Sequence, residues 1–171
     1  MTLTSRFNLA AAFDMSTALD LGTDSFAGRF TSDITLVDGA GASAANLVFA
    51  AEARTIAASA TDSLDLAGGG LLDPQRNTLV FARIKALYVR ASAANNAANN
   101  VVVTRPAANG VPLFTAAGDS LALRAGEVFT WISPTASGVA VTAGTGDLLD
   151  FVNSAGTNSV VYDVVILGAA T

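Results

Sequence analysis

Turn-forming residues recur along this chain at short intervals, and that spacing limits the fold more than any other feature. Asp38-Gly39-Ala40-Gly41, Gly68-Gly69-Gly70, Asp73-Pro74, Arg105-Pro106, Asn109-Gly110, Ser133-Pro134, Gly144-Thr145-Gly146 and Ala155-Gly156 each supply a positive φ, a fixed φ or an Asx turn. Between them lie short segments rich in Val, Leu, Phe, Thr and Ile. Turn signals about eight to twelve residues apart are the pattern of a β-sandwich or small barrel.

The clearest strand is Ser159 to Leu167, where Val160, Tyr162, Val164 and Ile166 fall on one face and read as core. Val161, Val165 and Leu167 make the opposite face largely apolar too, which predicts a strand covered on both sides, by an arm or by another subunit. Glu127 to Ser133 repeats the case, with Val128, Thr130 and Ile132 opposite Phe129 and Trp131. Further strands are predicted at Leu47 to Ala53, Ser63 to Leu66, Val101 to Thr104, Ser120 to Arg124, Val139 to Thr142 and Leu148 to Val152. Leu79 to Arg90 could align Phe81, Ile84 and Tyr88 on a helix, but a strand places Arg83 and Lys85 on one face and is preferred. Ala91 to Asn100, with its tandem Ala-Ala-Asn-Asn, reads as a loop, or alternatively a short helix. The first 45 residues differ: Phe7, Phe13, Phe26 and Phe30 are spread through Ser, Thr, Asp and Gly with only weak alternation. Residues 1–45 are therefore expected to form an arm or outer layer that docks on a neighbour, or else extra strands of the 46–171 sandwich.

Composition excludes several functions. The chain has no Cys and no His, so disulfides, thiolate nucleophiles and the commonest general base and metal ligand are absent. The net charge of −5, without any basic stripe, argues against a nucleic-acid partner. Charged residues make up 13% of the chain, about half the usual ~25%, while 35 residues are Ala. So bland a surface points to permanent contacts, where Lys and Glu are depleted and Arg is kept. No apolar run approaches the ~20 residues of a spanning helix, and no membrane partner is expected. The run Phe7 to Phe13 ends at Asp14, too short for a convincing signal peptide; the chain is expected to stay in the cytosol unless it leaves within an assembly.

The remaining motifs are structural in reading. Gly39-Ala40-Gly41-Ala42-Ser43-Ala44 lacks the third Gly and the strand-loop-helix setting of a dinucleotide loop. The turn from Gly144 to Asp147, with Asp150, is poorer in carboxylates than a calcium loop. Asp62 with Asp65, and Asp147 with Asp150, sit beside turns and are expected to accept backbone hydrogen bonds, not to act as acid and base. Trp131 is expected in the core or at an interface. No catalytic residue, metal or cofactor is assigned, and the chain is expected not to be an enzyme.

From about Asn46 to Gly168 the sequence resembles a family of small virion structural proteins of tailed phages. The resemblance is carried by the segment Arg54-Thr55-Ile56-Ala57-Ala58-Ser59-Ala60-Thr61-Asp62-Ser63-Leu64-Asp65-Leu66-Ala67-Gly68, by Phe81 to Leu87, by Ala140 to Leu149 and by Tyr162 to Gly168. It implies an all-β, jelly-roll-like antiparallel β-sandwich with an N-terminal arm or outer layer, placed on the outer surface of the phage head as a decoration or cement protein. The implied partners are the major capsid protein and further copies of the chain, as a trimer about a symmetry axis of the shell. Candidate contacts are Arg6, Phe7, Phe13, Arg29, Phe30, Phe129 and Trp131, because aromatics and Arg dominate interfaces. Two other classes remain open: a tail or fibre-associated adhesion module binding host glycan, and a cellular surface-layer or appendage subunit.

Overall fold

The computed structural model of the chain describes residues 2–134 and 138–170; Met1 and Thr171, the outermost residues of the two predicted segments, lie outside them. Strands in chain order are β1 (Ser5–Leu19), β2 (Gly22–Leu36), β3 (Leu47–Ile56), β4 (Thr61–Asp65), β5 (Leu71–Leu72), β6 (Thr78–Leu79), β7 (Arg83–Ala91), β8 (Val101–Thr104), β9 (Ser120–Leu123), β10 (Val128–Ile132), β11 (Val139–Ala140), β12 (Leu148–Asn153) and β13 (Val160–Ala169). Among the described residues there is no helix. Each strand predicted from the turn spacing is present within a few residues of its expected ends, including the one chosen over a helix at Leu79 to Arg90, which forms β6 and β7. Ala91 to Asn100 is a loop beyond the last residue of β7.

Two antiparallel sheets pack together as a β-sandwich. One runs β10-β7-β13-β3, with β11 continuing along β7 beyond β10; the other runs β4-β12-β8-β9. Period-two alternation decides what lies between them. Val160, Tyr162, Val164 and Ile166 of β13, Leu149 and Phe151 of β12, Val101 and Val103 of β8, and Leu87 and Val89 of β7 are all fully buried there. The rings of Phe151 and Tyr162 stack across the sheets with centroids 4.6 Å apart. Gly168 is required by a close approach, since a Cβ there would stand 2.2 Å from the Arg83 carbonyl oxygen and 2.6 Å from Phe81 Cδ1. That contact falls where the β13–β7 register shifts, between Leu167 and Gly168.

The outer face of the first sheet carries a second, smaller apolar cluster. Leu36, Ala45, Ala86 and Leu167 are buried in it, with Leu3, Phe7, Val48 and Ile132 packed alongside. The apolar outward residue Leu167 is thus covered by the chain's own N-terminal segment, whereas Val161 and Val165 are half-buried. The loop between β2 and β3 closes this cover. Asn46 N–H donates to the Gly168 carbonyl (3.0 Å), Ser43 Oγ to the Pro134 carbonyl (3.2 Å), and the buried Lys85 Nζ to the Ala42 carbonyl (2.6 Å).

Candidate functional site

β1 and β2 pair only with each other, as a fifteen-residue antiparallel ribbon in continuous register from Ser5↔Leu36 to Leu19↔Gly22, closed by Asp20 and Leu21. At ~3.4 Å per residue the ribbon is about 48 Å long. Its root packs on the sandwich through Phe7 and Leu36; most of its remaining length is exposed. The pleat sorts its residues onto two faces of opposite character. Phe7, Leu9, Ala11, Phe13, Met15 and Leu19 of β1 share a face with Phe26, Gly28, Phe30, Ile34 and Leu36 of β2. The other face presents Arg6, Asn8, Asp14, Ser16, Arg29 and Asp33 among alanines and threonines.

Local chemistry shapes both faces. Phe13 lies over Gly28, where a Cβ would come within 2.3 Å of its Cζ, and its ring stands 5.9 Å from Phe26 and 6.4 Å from Phe30. The glycine opens the notch that lets this aromatic cluster lie flat across the ribbon. On the polar face Asn8 Nδ2 donates to Asp33 Oδ1 at 2.6 Å, and Arg6 Nη2 reaches the same oxygen at 3.4 Å. Between the ribbon root and the outer face of the first sheet, a cleft of about 430 Å³ is lined by Arg6, Phe7, Leu9, Tyr88 and Thr130 among others.

The seven candidate contact residues do not form one surface. Phe7, Phe13 and Phe30 share the apolar face of the ribbon, and Arg6 and Arg29 the opposite face. Phe129 and Trp131 are half-buried on β10 and pack against the main core. The weak alternation expected of the first 45 residues is corrected by the ribbon, in which alternation is regular; alanines on both faces (Ala10, Ala11 and Ala12 in β1) mask it in a hydropathy reading. Reading period two from Phe7 to Leu19 and again from Phe26 to Leu36 would have found Leu9, Met15, Leu19 and Phe26, which the candidate set lacks.

A second polar cluster sits where the edge strands β3 and β4 face each other. Arg54 Nε and Nη2 donate to the two carboxylate oxygens of Asp62, both at 2.8 Å. The Tyr162 hydroxyl donates to Asp62 Oδ2 (2.8 Å) and accepts from Arg54 Nε (3.2 Å). The hydrogen bond to Asp62 holds the Arg54 pKa above its ordinary value against burial. Burial and the bond to Asp62 push the Tyr162 hydroxyl well up. Burial would raise Asp62, but hydrogen bonds from Arg54 and Tyr162 and the Arg54 charge outweigh it and hold the carboxyl below its ordinary value. The adjacent groove of about 460 Å³, lined by Arg54 to Ala57 and Ala60 to Asp62, therefore presents an internally neutralised ion pair.

Asp62 is accordingly not the turn acceptor expected of it, and Asp150 accepts from the Ser63 hydroxyl (2.5 Å). Asp65 and Asp147 do accept from turn backbone, from Ala67 and Gly68 and from Gly144. Among the described residues no three acidic side chains converge as a metal site. No protein-family model, curated protein or solved structure matches the chain.

Proposed function

We propose that this chain is a phage virion structural protein, a capsid decoration or cement protein that oligomerises, as a trimer about a symmetry axis, and bridges neighbouring major capsid subunits. The observation that carries the reading is the ribbon, a 48 Å-scale arm projecting from a small sandwich and holding its largest apolar side chains in solvent. An arm of that length reaches beyond the body that bears it, as a bridging element must. Strand order favours the jelly-roll form of the sandwich. Taking β3, β4, β7, β8, β9, β10, β12 and β13 as one to eight, the sheets run 1-8-3-6 and 2-7-4-5. Every connection except that from four to five then crosses between sheets, as in a jelly roll.

The mechanism is mass action. A protein that binds the assembled shell and not its separated subunits stabilises the shell by its binding free energy, against the internal pressure of packaged DNA. On the ribbon, Arg6 and Arg29 are the proposed capsid contacts, their guanidinium groups suited to carboxylates of the shell. The test shortens the ribbon in register: Leu9 and Ser32 are paired as Leu19 and Gly22 are, so Asn-Gly in place of residues 10–31 closes a short hairpin and keeps Phe7 and Leu36 on the sandwich. This variant is expected to fold and to leave purified particles undecorated, while the intact chain is found in hundreds of copies per head. Full occupancy by the shortened chain would refute the reading, and a few copies confined to the tail would point to adhesion.

A further inference from the structure

We infer that the apolar face of the ribbon is the surface through which two copies of this chain associate, with the ribbons face to face and antiparallel and each tip at the root of the other. This goes beyond the capsid reading and does not depend on it. A two-stranded ribbon alone is marginally stable in water, yet here the face bearing Leu9, Met15, Leu19, Phe26 and Phe30 is bare, Phe30 remaining 72% exposed. Beyond the root, the bare parts of Leu9, Phe13, Met15, Leu19, Phe26 and Phe30, 40–72% exposed at about 150–250 Å² per large side chain, amount to roughly 500 Å² per copy, hence about 1,000 Å² between two, the size at which specific interfaces begin.

Charge excludes an anionic membrane as the occupant. Residues 5–36 contain Arg6 and Arg29 against Asp14, Asp20, Asp24 and Asp33, a net 2 − 4 = −2, the wrong sign for an anionic lipid surface. An apolar strip of this length needs a partner strip of equal length and little charge. The same strip on a second copy meets that need, and its aromatic cluster (Phe13 with Phe26 and Phe30) lies near mid-ribbon, where a two-fold axis would set it against its own copy. Asp24 is the one charged residue on this face. Parallel ribbons would bring two Asp24 carboxylates together in an apolar seam; antiparallel ones send them to opposite ends. They also carry Leu21, which protrudes fully into solvent at the tip, to the cleft beside Phe7, Leu9 and Tyr88. Three ribbons about one axis do not fit: faces ~10 Å wide would lie about 3 Å from the axis, inside the ~5 Å half-spacing that packed sheets need.

Light scattering on the full chain tests the association. Wild type is expected at two chains, or at six where the proposed trimers pair through their ribbons, and Phe26→Asp/Phe30→Asp at half the wild-type mass. A wild-type chain that stays single at every concentration, or a three-chain particle unaffected by the two Asp substitutions, would overturn the inference. Geometry is tested in near-native background, since the chain has no Cys: a short bis-maleimide should join Thr17→Cys chains to Leu9→Cys chains and leave Thr17→Cys chains unjoined to one another. Self-linking at Thr17→Cys with no mixed product would mean parallel ribbons and would overturn it equally. Particle binding measured in parallel separates the readings, because a chain that pairs without decorating capsids sinks only the capsid proposal.

Discussion

Tyr162→Phe removes a single oxygen from the seam between the two sheets. Tyr162 is fully buried with its ring stacked on Phe151, and its hydroxyl joins the Arg54–Asp62 pair. Phe keeps the ring and its stacking, and Arg54 and Asp62 keep their two 2.8 Å bonds to each other, so no partner is orphaned. What is lost is a hydrogen bond to a charged acceptor, worth about 1.5–3 kcal/mol. The expected cost is about 2 kcal/mol, which for a chain of this size lowers Tm by roughly 4–8 °C. Urea titration should show a lower midpoint at unchanged m-value, compared at one protein concentration because association shifts apparent stability. Tyr162→Ala, which also empties the ring site, should cost about 3–5 kcal/mol. If Tyr162→Phe falls within about 0.5 kcal/mol of wild type, the range of inert substitutions, then stacking alone holds this seam and the account of the cluster is wrong.

Three further outcomes follow from the same structure. Ala53 sits at φ 53° in the β3 bulge, its N–H donating to Asp163 Oδ1; the left-handed region costs a side-chain-bearing residue about 1–2 kcal/mol and Gly about 0.5–1 kcal/mol in entropy, so Ala53→Gly should stabilise by about 0.5–1 kcal/mol, and a lowered urea midpoint would contradict this. Gly168→Ala should destabilise by about 3 kcal/mol, the upper end for overpacking, because the opposing Arg83 oxygen is backbone and cannot turn aside; near-neutral denaturation would refute the close approach. Asp62 titrates below its ordinary 3.8, as does Asp163, which the Ala53 N–H and Arg90 lower against burial. Their stabilisation is therefore complete above the unfolded-state value and is lost as pH falls below about 4 through the folded-state values. Asp62→Asn should flatten the acid limb of a stability–pH curve, and an unchanged limb would remove Asp62 from that account.

The sandwich strands were legible because their signals are local. Val160, Tyr162, Val164 and Ile166 alternate with period two, Asn109-Gly110 and Gly144 to Gly146 punctuate, and neither signal needs knowledge of the partner strand. The ribbon was hard to read for equally local reasons. Ala10, Ala11 and Ala12 blur the contrast between its faces, and its turn, Asp20-Leu21, lacks the positive-φ residues of the favoured two-residue hairpins. Asp62 was misread because turn proximity is visible in sequence, whereas an Arg54 eight residues away on a facing edge strand is not.

By itself the sequence determined the class of structure and the inward-facing residues, since alternation and backbone preference are properties of neighbouring residues. It also identified strands with two apolar faces. Only the tertiary structure decided what each face meets: Leu167 lies under Leu36 and the loop that Lys85 holds through Ala42, while Phe26 and Phe30 meet solvent. That decision rests on burial shared between segments far apart in the chain, β13 lying between β7 and β3, and no local pattern encodes which distant surface completes it.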